Sequence, residues 1–237
     1  MRDVSVIPLT EDESMIVAVD NSGAVGMKAQ DEVQVPYAVV SYFAFRTAVM
    51  ECISAGGHPF IVIIHNFCGN DAWAELVTGV KKGLKELNFM DVQITGSTET
   101  NFQLKQSTIG LTVLGKKAMG GVEVPLNIKK QRVAVIGSPL VGEAVRDRPE
   151  EIASLHLFDS IAQISGVTLF PVGSKGILYE LNQAFSENMN DRQVQTDVDI
   201  MQSSGPSTCF IAIYPKKLED RIQSEAGSLF HLVQFEV

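Results

Sequence analysis

The sequence is short of cysteine, of positive charge and of long apolar runs, and each shortage excludes something. Three cysteines in 237 residues, Cys52, Cys68 and Cys209, are too few and too irregularly spaced for a disulfide framework, and they fit a reducing compartment. The apolar stretch at residues 60–64 is far too short to cross a bilayer. The first ten residues lack the apolar run with a basic flank that marks a secretory signal, so the expected location is the cytoplasm. Lys and Arg number 19 against 28 Asp and Glu, a net charge of -9. Nucleic acid and anionic membrane both demand a dense positive face, so neither is expected as a partner. No low-complexity tract and no repeat of solenoid length interrupts the chain.

What remains is an ordinary globular composition, 45% hydrophobic and 20% charged, long enough for one large domain or two small ones. Residues 16–20 (IVAVD) read as a buried strand ending on an acid, followed by a loop with two glycines, Asn21 to Lys28. Between residues 35 and 55, Val39, Val40, Phe43, Thr47 and Met50 recur at helical spacing. Gly56 and Gly57 stop that helix, and residues 59–65 resume as a strand apolar on both faces. Residues 71–87 predict a second helix, with Lys81, Lys82 and Lys85 on its solvated side. Strands are expected at 92–94 and 109–114, around a polar connection from Thr95 to Lys105. The stretch 115–131, rich in glycine and lysine, is the expected boundary between domains 1–120 and 130–237. Beyond it the pattern predicts strands at 132–136, 167–171, 196–201, 208–214 and 229–237. Helices are expected at 140–146, 149–164, 177–185 and 218–226. This mixed order indicates an α+β fold rather than a doubly wound sheet.

Three places hold candidate chemistry. Asp20 leaves a buried strand, a placement suited to Mg²⁺, which takes a few carboxylates plus phosphate oxygens. In the following loop Gly23 and Gly26 let backbone N–H groups approach an anion, and Lys28 adds a point charge; the same loop also reads as a plain connection whose glycines supply positive φ. The second place is Thr95–Gly96–Ser97–Thr98–Glu99–Thr100–Asn101, a polar run longer than a hairpin turn requires. It reads either as a metal-and-phosphate loop or as an exposed polar loop. The third is Glu51, one turn before Gly56, which shares a helix face with Thr47.

Other patterns fall short. Residues 137–144 follow a strand and open a helix, yet Glu143 and Ala144 stand where a P-loop requires Lys and Ser or Thr. Cys52, His58, His65 and Cys68 lack zinc-like spacing except for His65 with Cys68, and both of these border a core strand. No G-x-S-x-G elbow supports a catalytic serine.

In their order and spacing these segments resemble the aminoimidazole-ribonucleotide synthetase (PurM-like) superfamily, which includes thiamine-monophosphate kinase and selenophosphate synthetase. Asp20, Gly23, Gly26 and Lys28 are similar to its amino-terminal Asp-and-glycine loop. Residues 51–59 (ECISAGGHP) are similar to its acid-bearing helix end, and Thr95–Thr100 with the strand at 109–115 to its Gly-Gly-acid-Thr loop. Gly173–Ser174–Lys175–Gly176–Ile177 sits where the superfamily reads Ser-Asp-Gly-Gly-Leu, with an acid lost and a cation gained. The strings VDNSG and TGSTETN resemble α-ribazole kinase most. The resemblance implies a PurM-like α+β fold and a homodimer in which amino-terminal sheets meet. It implies ATP near that interface, contacted by Asn21, Ser22, Gly23, Gly26, Gly96, Ser97, Thr98, Thr100 and Asn101. It also implies Mg²⁺ on Asp20, Glu51 and Glu99, and phosphoryl transfer to a nucleoside-like small molecule, with Asp20, Lys28 and Glu99 as catalytic groups. An ATP-dependent cyclase, a thiamine-phosphate-kinase-like enzyme and a nucleotide-binding module without turnover are the alternatives.

Overall fold

A computed structural model of the chain describes residues 4–118 and 126–236. Two compact units are present, residues 2–121 and residues 122–237. The anticipated boundary stretch is in part strand: residues 115–118 end one strand and Gln131 opens another. Residues 119–125 of that stretch lie outside the described residues.

The first unit runs β1 (Val4–Pro8), β2 (Glu13–Gly23), β3 (Val25–Gly26), β4 (Val33–Gln34), α1 (Tyr37–Ser54), β5 (His58–Asn66), α2 (Trp73–Glu86), β6 (Gln93–Thr98) and β7 (Thr108–Ala118). Its main sheet has the order β1-β2-β7-β5-β6. Neighbours are antiparallel except the edge pair β5/β6, which is parallel. Alternation fixes the faces: in β2, Ser14, Ile16 and Ala18 are buried while Met15, Val17 and Val19 lean the other way. Helix α1 covers the buried face and packs against α2. Two close approaches explain glycines here. A Cβ at Gly79 would fall 2.1 Å from the Ala38 carbonyl oxygen, and Cβ atoms at Gly57 and Gly115 would fall 2.8 and 2.4 Å from Cys52 Sγ.

Three local expectations need correction. The buried residues of α1 include Val40, Ala44, Phe45, Ala48, Val49 and Cys52, whereas Val39 is exposed and Phe43 and Thr47 are half-buried. Sheet and α2 together bury more than one stripe of this helix, so of the five positions in the spacing pattern Val40 and Met50 lie in the buried set and the other three do not. Residues 95–98, expected as loop, form the second half of β6. An edge strand with exposed side chains carries no hydrophobic signature. Strand β1 was not anticipated either, for the same reason: four of its five residues are exposed.

The second unit contains β8 (Gln131–Ile136), α3 (Glu143–Asp147), α4 (Leu155–Ala162), β9 (Thr168–Pro171), α5 (Gly176–Phe185), β10 (Val194–Gln195), β11 (Phe210–Pro215), α6 (Glu219–Ala226) and β12 (Phe230–Phe235). Its sheet, β10-β12-β8-β11-β9, is antiparallel throughout. The central strands β8 and β11 are buried on both faces. Val133, Val135, Ile211 and Ile213 pack with Ile177 and Leu181 of α5. On the opposite side Phe158 of α4 meets Phe210 edge to face at 5.0 Å. The helix expected over 149–164 is instead a 3₁₀ turn, 149–151, followed by α4, whose Ser154 cap accepts a hydrogen bond from Leu157 N. The strand expected over 196–201 is irregular, with Asp199 Oδ1 accepting from Met201 N at 2.9 Å. Predominantly antiparallel sheets with packed helices make this an α+β chain. Among the described residues no helix is long and apolar enough to cross a membrane.

Candidate functional site

Strand pairing in the first unit lines up two polar rows at one end of the sheet. Ser22, Ile109, Asn66 and Thr98 are successive partners across β2, β7, β5 and β6; Asn21, Gly110, His65 and Ser97 form the adjacent row on the opposite face. Seven of the expected contact residues, Asn21, Ser22, Gly23, Gly96, Ser97, Thr98 and Glu99, thus gather at the end of the sheet where the parallel pair β5/β6 finishes. Ligands of open sheets with parallel strands bind at such carboxyl ends.

Asp20 lies one step back from this end, opposite Leu111. Burial raises its carboxyl from 3.8 to about 7, against the smaller opposing pull of a hydrogen bond from the Asn21 backbone N–H. A carboxyl held near neutrality with no cation to compensate it is a mark of functional sites.

The glycine loop after β2 is closed on itself rather than open to an anion. Ala24 N donates to Ser107 O, Lys28 N to Asp31 Oδ2. Asp31, which sequence reasoning missed, is buried and also accepts from Ser107 N and Ser107 Oγ, both at 2.6 Å. Burial pushes its carboxyl up, but the Ser107 and Lys28 N–H and O–H donors outweigh it and hold Asp31 below its ordinary value. Only the late pairing of Asp31 with a serine 76 positions away gives it meaning, and nothing in the local sequence signals that. Gly26 is packed, not offered: a Cβ there would lie 2.5 Å from Ser107 Oγ and 2.9 Å from the Tyr37 ring. Ala24 adopts φ 59, a left-handed conformation costly for a residue with a Cβ. Lys28, expected to meet phosphate, gives its ammonium to two carbonyls, Phe67 O at 3.2 Å and Leu104 O at 2.9 Å. It ties the three loops together. Gly23 alone of the loop glycines has open space around it.

Across the sheet, His65, Asn66, Phe67, Ser97, Thr98 and Glu99 line a cleft of about 130 Å³. Asn66 shapes its floor: Nδ2 donates to Gly69 O and Thr98 Oγ1, and Oδ1 accepts from Cys68 N. Glu99 Oε1 accepts from Asn101 N and Phe102 N, at 2.6 and 3.2 Å, so the acid builds its own turn. Thr100 and Asn101 are exposed on that turn. Gly96 permits close packing behind the cleft, since a Cβ would sit 2.1 Å from Ile64 O and 2.8 Å from the Trp73 ring.

The three carboxylates assigned to Mg²⁺ do not meet. From Asp20 the row Leu111–Ile64–Gly96 crosses three strand spacings before Glu99's strand is reached, roughly 14 Å. Glu51 precedes Cys52, whose sulfur lies against Gly115, the partner of Ile16; that level is four residues down β2 from Asp20, roughly 13 Å. Among the described residues no three His, Cys, Asp or Glu side chains form a group able to hold a metal ion. In the second unit Lys175 Nζ is 3.1 Å from Tyr179 Oη and 4.2 Å from that ring's centre, and Gly176, at φ 82, leaves room for the carbonyls of residues 200–202.

No protein-family model and no curated protein matches the chain. Solved structures do. Thermotoga maritima PurL complexed with ADP is 11% identical with a TM-score of 0.58, over 100% of this chain and 42% of that one. The thiamine monophosphate kinase of Aquifex aeolicus is 13% identical with a TM-score of 0.61, over 100% and 89%. The hydrogenase maturation protein HypE of E. coli is 11% identical with a TM-score of 0.59, over 93% and 80%. The chain therefore spans less than half of PurL but most of the kinase and of HypE. At these identities the likeness is one of fold: the chain shares the fold of PurL, of the kinase and of HypE.

Proposed function

We propose that the protein is an ATP-dependent phosphotransferase acting on a hydroxyl of a nucleoside-like small molecule, with α-ribazole as the acceptor. The observation that carries this reading is the polar sheet end, which brings Asn21, Ser22 and Gly23 together with Ser97, Thr98 and Glu99 on a fold whose relatives handle nucleotides. PurL has been solved with ADP, with ATP and with AMPPCP, and a kinase is among the structures that match over the full chain.

Phosphoryl transfer asks the protein chiefly for positioning and for fixed dipoles. ATP, when bound, supplies the phosphoryl group. Asn21, Ser22 and the open backbone at Gly23 are neutral donors placed to orient it, Asp20 is the acid beside them, and Lys28 holds the surrounding loops in register. The separated carboxylates Asp20, Glu51 and Glu99 do not fit a protein-built Mg²⁺ shell, so no step is assigned to one; magnesium enters with the nucleotide. We also propose a homodimer formed by the uncovered sheet face. Val17, Ile61, Ile63 and Leu114 are only half-buried there and Val19 is 59% exposed, which a second copy of the same face would cover.

The test is incubation of the full chain with Mg·ATP and, in parallel, α-ribazole, thiamine phosphate or formylglycinamidine ribonucleotide, followed by mass analysis. An acceptor one phosphate heavier in the first reaction alone supports the reading. Release of free phosphate with ring closure indicates a cyclase, and no turnover with any acceptor removes the kinase.

A further inference from the structure

Phe67 lines the cleft, and exposed apolar side chains stand on the loops beside it. Phe67 (38% exposed), Met27 (58%), Phe102 (79%) and Leu104 (41%) come from the three loops that Lys28 joins, and among the described residues Phe67 and Phe102 are the two exposed phenylalanines. Exposed apolar side chains on neighbouring loops mark a binding surface. The loops that carry them are tied through their backbones: Lys28 Nζ reaches the carbonyls of both Phe67 and Leu104, and Glu99 Oε1 holds Phe102 N.

Directly below the rim the lining is polar but carries no lysine or arginine. Its one fixed charge is the Glu99 carboxylate, with Oε2 uncommitted. Among the described residues the side chains of His65 and Ser97 have no hydrogen-bond partner. A triphosphate, several negative charges strong, would meet the Glu99 acid here, while Lys28 beside the rim is committed to the carbonyls of Phe67 and Leu104, an unfavourable pairing. A cleft of about 130 Å³ is also small beside the roughly 300 Å³ or more of a complete ligand pocket. A sugar fits it; the ring attached to that sugar would lie on the rim.

On these grounds, and resting on the phosphotransferase reading, we infer that this cleft and its rim form the acceptor subsite, binding an uncharged nucleoside. The planar base lies against Phe67 and Phe102, and the ribose cis-diol donates to Glu99 Oε2. Stacking is tolerant of base identity, so the diol supplies the stricter part of the recognition. The nucleotide is thereby left to the Asn21–Gly23 end of the sheet.

The experiment measures binding without ATP. The full chain is titrated with adenosine, with a benzimidazole riboside and with inorganic tripolyphosphate. Trp73, the single tryptophan, reports through its contact with Gly96, and saturation-transfer NMR on the ligand serves as a second readout. Both nucleosides should bind saturably and tripolyphosphate should not displace them. Phe67→Ala and Phe102→Ala, both surface changes, should each weaken nucleoside binding by about tenfold or more. Glu99→Gln should weaken the ribosides but leave a 2′,3′-dideoxynucleoside unaffected. Displacement of the riboside by tripolyphosphate, equal affinity in the phenylalanine variants, or loss of self-association in those variants with nucleoside binding intact would each overturn the assignment. Nucleoside binding that behaves as expected in a protein without turnover would remove the kinase reading and leave this subsite standing.

Discussion

Replacing Asp20 with asparagine should stabilise the first unit at neutral pH while abolishing phosphoryl transfer. The native state keeps the Asp20 proton up to about pH 7, whereas the unfolded chain releases it near 3.8. Between those values the native state binds more protons, so stability falls as pH rises, and above about 7 the loss is complete. At about 1.4 kcal/mol per pH unit, the interval from 3.8 to about 7 amounts to roughly 4 kcal/mol of destabilisation stored in the ionised carboxylate. Asparagine keeps the shape and removes the charge. The variant should match the wild type near pH 4, apart from a constant offset, and exceed it by roughly 4 kcal/mol near pH 8. Urea denaturation followed by Trp73 fluorescence suits the measurement, because the single tryptophan lies in the first unit. A difference between variant and wild type that stays flat across this pH range would refute the argument that burial is what perturbs Asp20.

Four further expectations concern the surrounding scaffold. Ser107→Ala deprives buried Asp31 of a hydroxyl donor and should cost about 1–3 kcal/mol at neutral pH. Because Asp31 titrates low in the folded state, that cost should shrink as pH drops through its folded value, readable in the same denaturation series. Ala24→Gly relieves a left-handed alanine and should raise stability by about 1 kcal/mol in chemical denaturation. Gly96→Ala forces a Cβ to 2.1 Å from Ile64 O and should destabilise by about 2 kcal/mol or more, with a shift in Trp73 emission. In the second unit Tyr214 is fully buried with no partner for its hydroxyl, so Tyr214→Phe should be neutral or stabilise by about 1 kcal/mol, measured by thermal melting.

Elements with a two-sided or one-sided core were legible in the sequence, and elements whose logic is long-range were not. β5 and β8 announce themselves by continuous apolar runs, and α1 by its length between Pro36 and Gly56. Helix α1's true buried set was hidden because burial against two layers removes the contrast that a periodicity needs. β6 was half lost because Thr95, Ser97 and Thr98 lie on a strand with a single neighbour. Asn21, Ser22 and Ser97–Glu99 stand in polar runs after core strands, and strand register brings them to one end of the sheet. Lys28 and Gly26 were misjudged for a common reason: their partners, Phe67, Leu104, Ser107 and Tyr37, come from distant parts of the chain. A lysine in a glycine loop suggests an anion until two carbonyls are seen to claim it. The acid trio failed on distance alone, which no local motif encodes.

The last strand of the first unit is its middle one. β7 pairs along eleven residues with β2 and along most of β5, yet it follows both by dozens of positions. As the chain leaves the ribosome, β1 and β2 can form a hairpin early, but its inner edge stays open until residue 118 has emerged, and the slow, long-range closure that follows is the step most exposed to intermolecular pairing. Expression at lowered temperature or with slowed translation should therefore change the soluble yield of this protein more than its final stability would suggest.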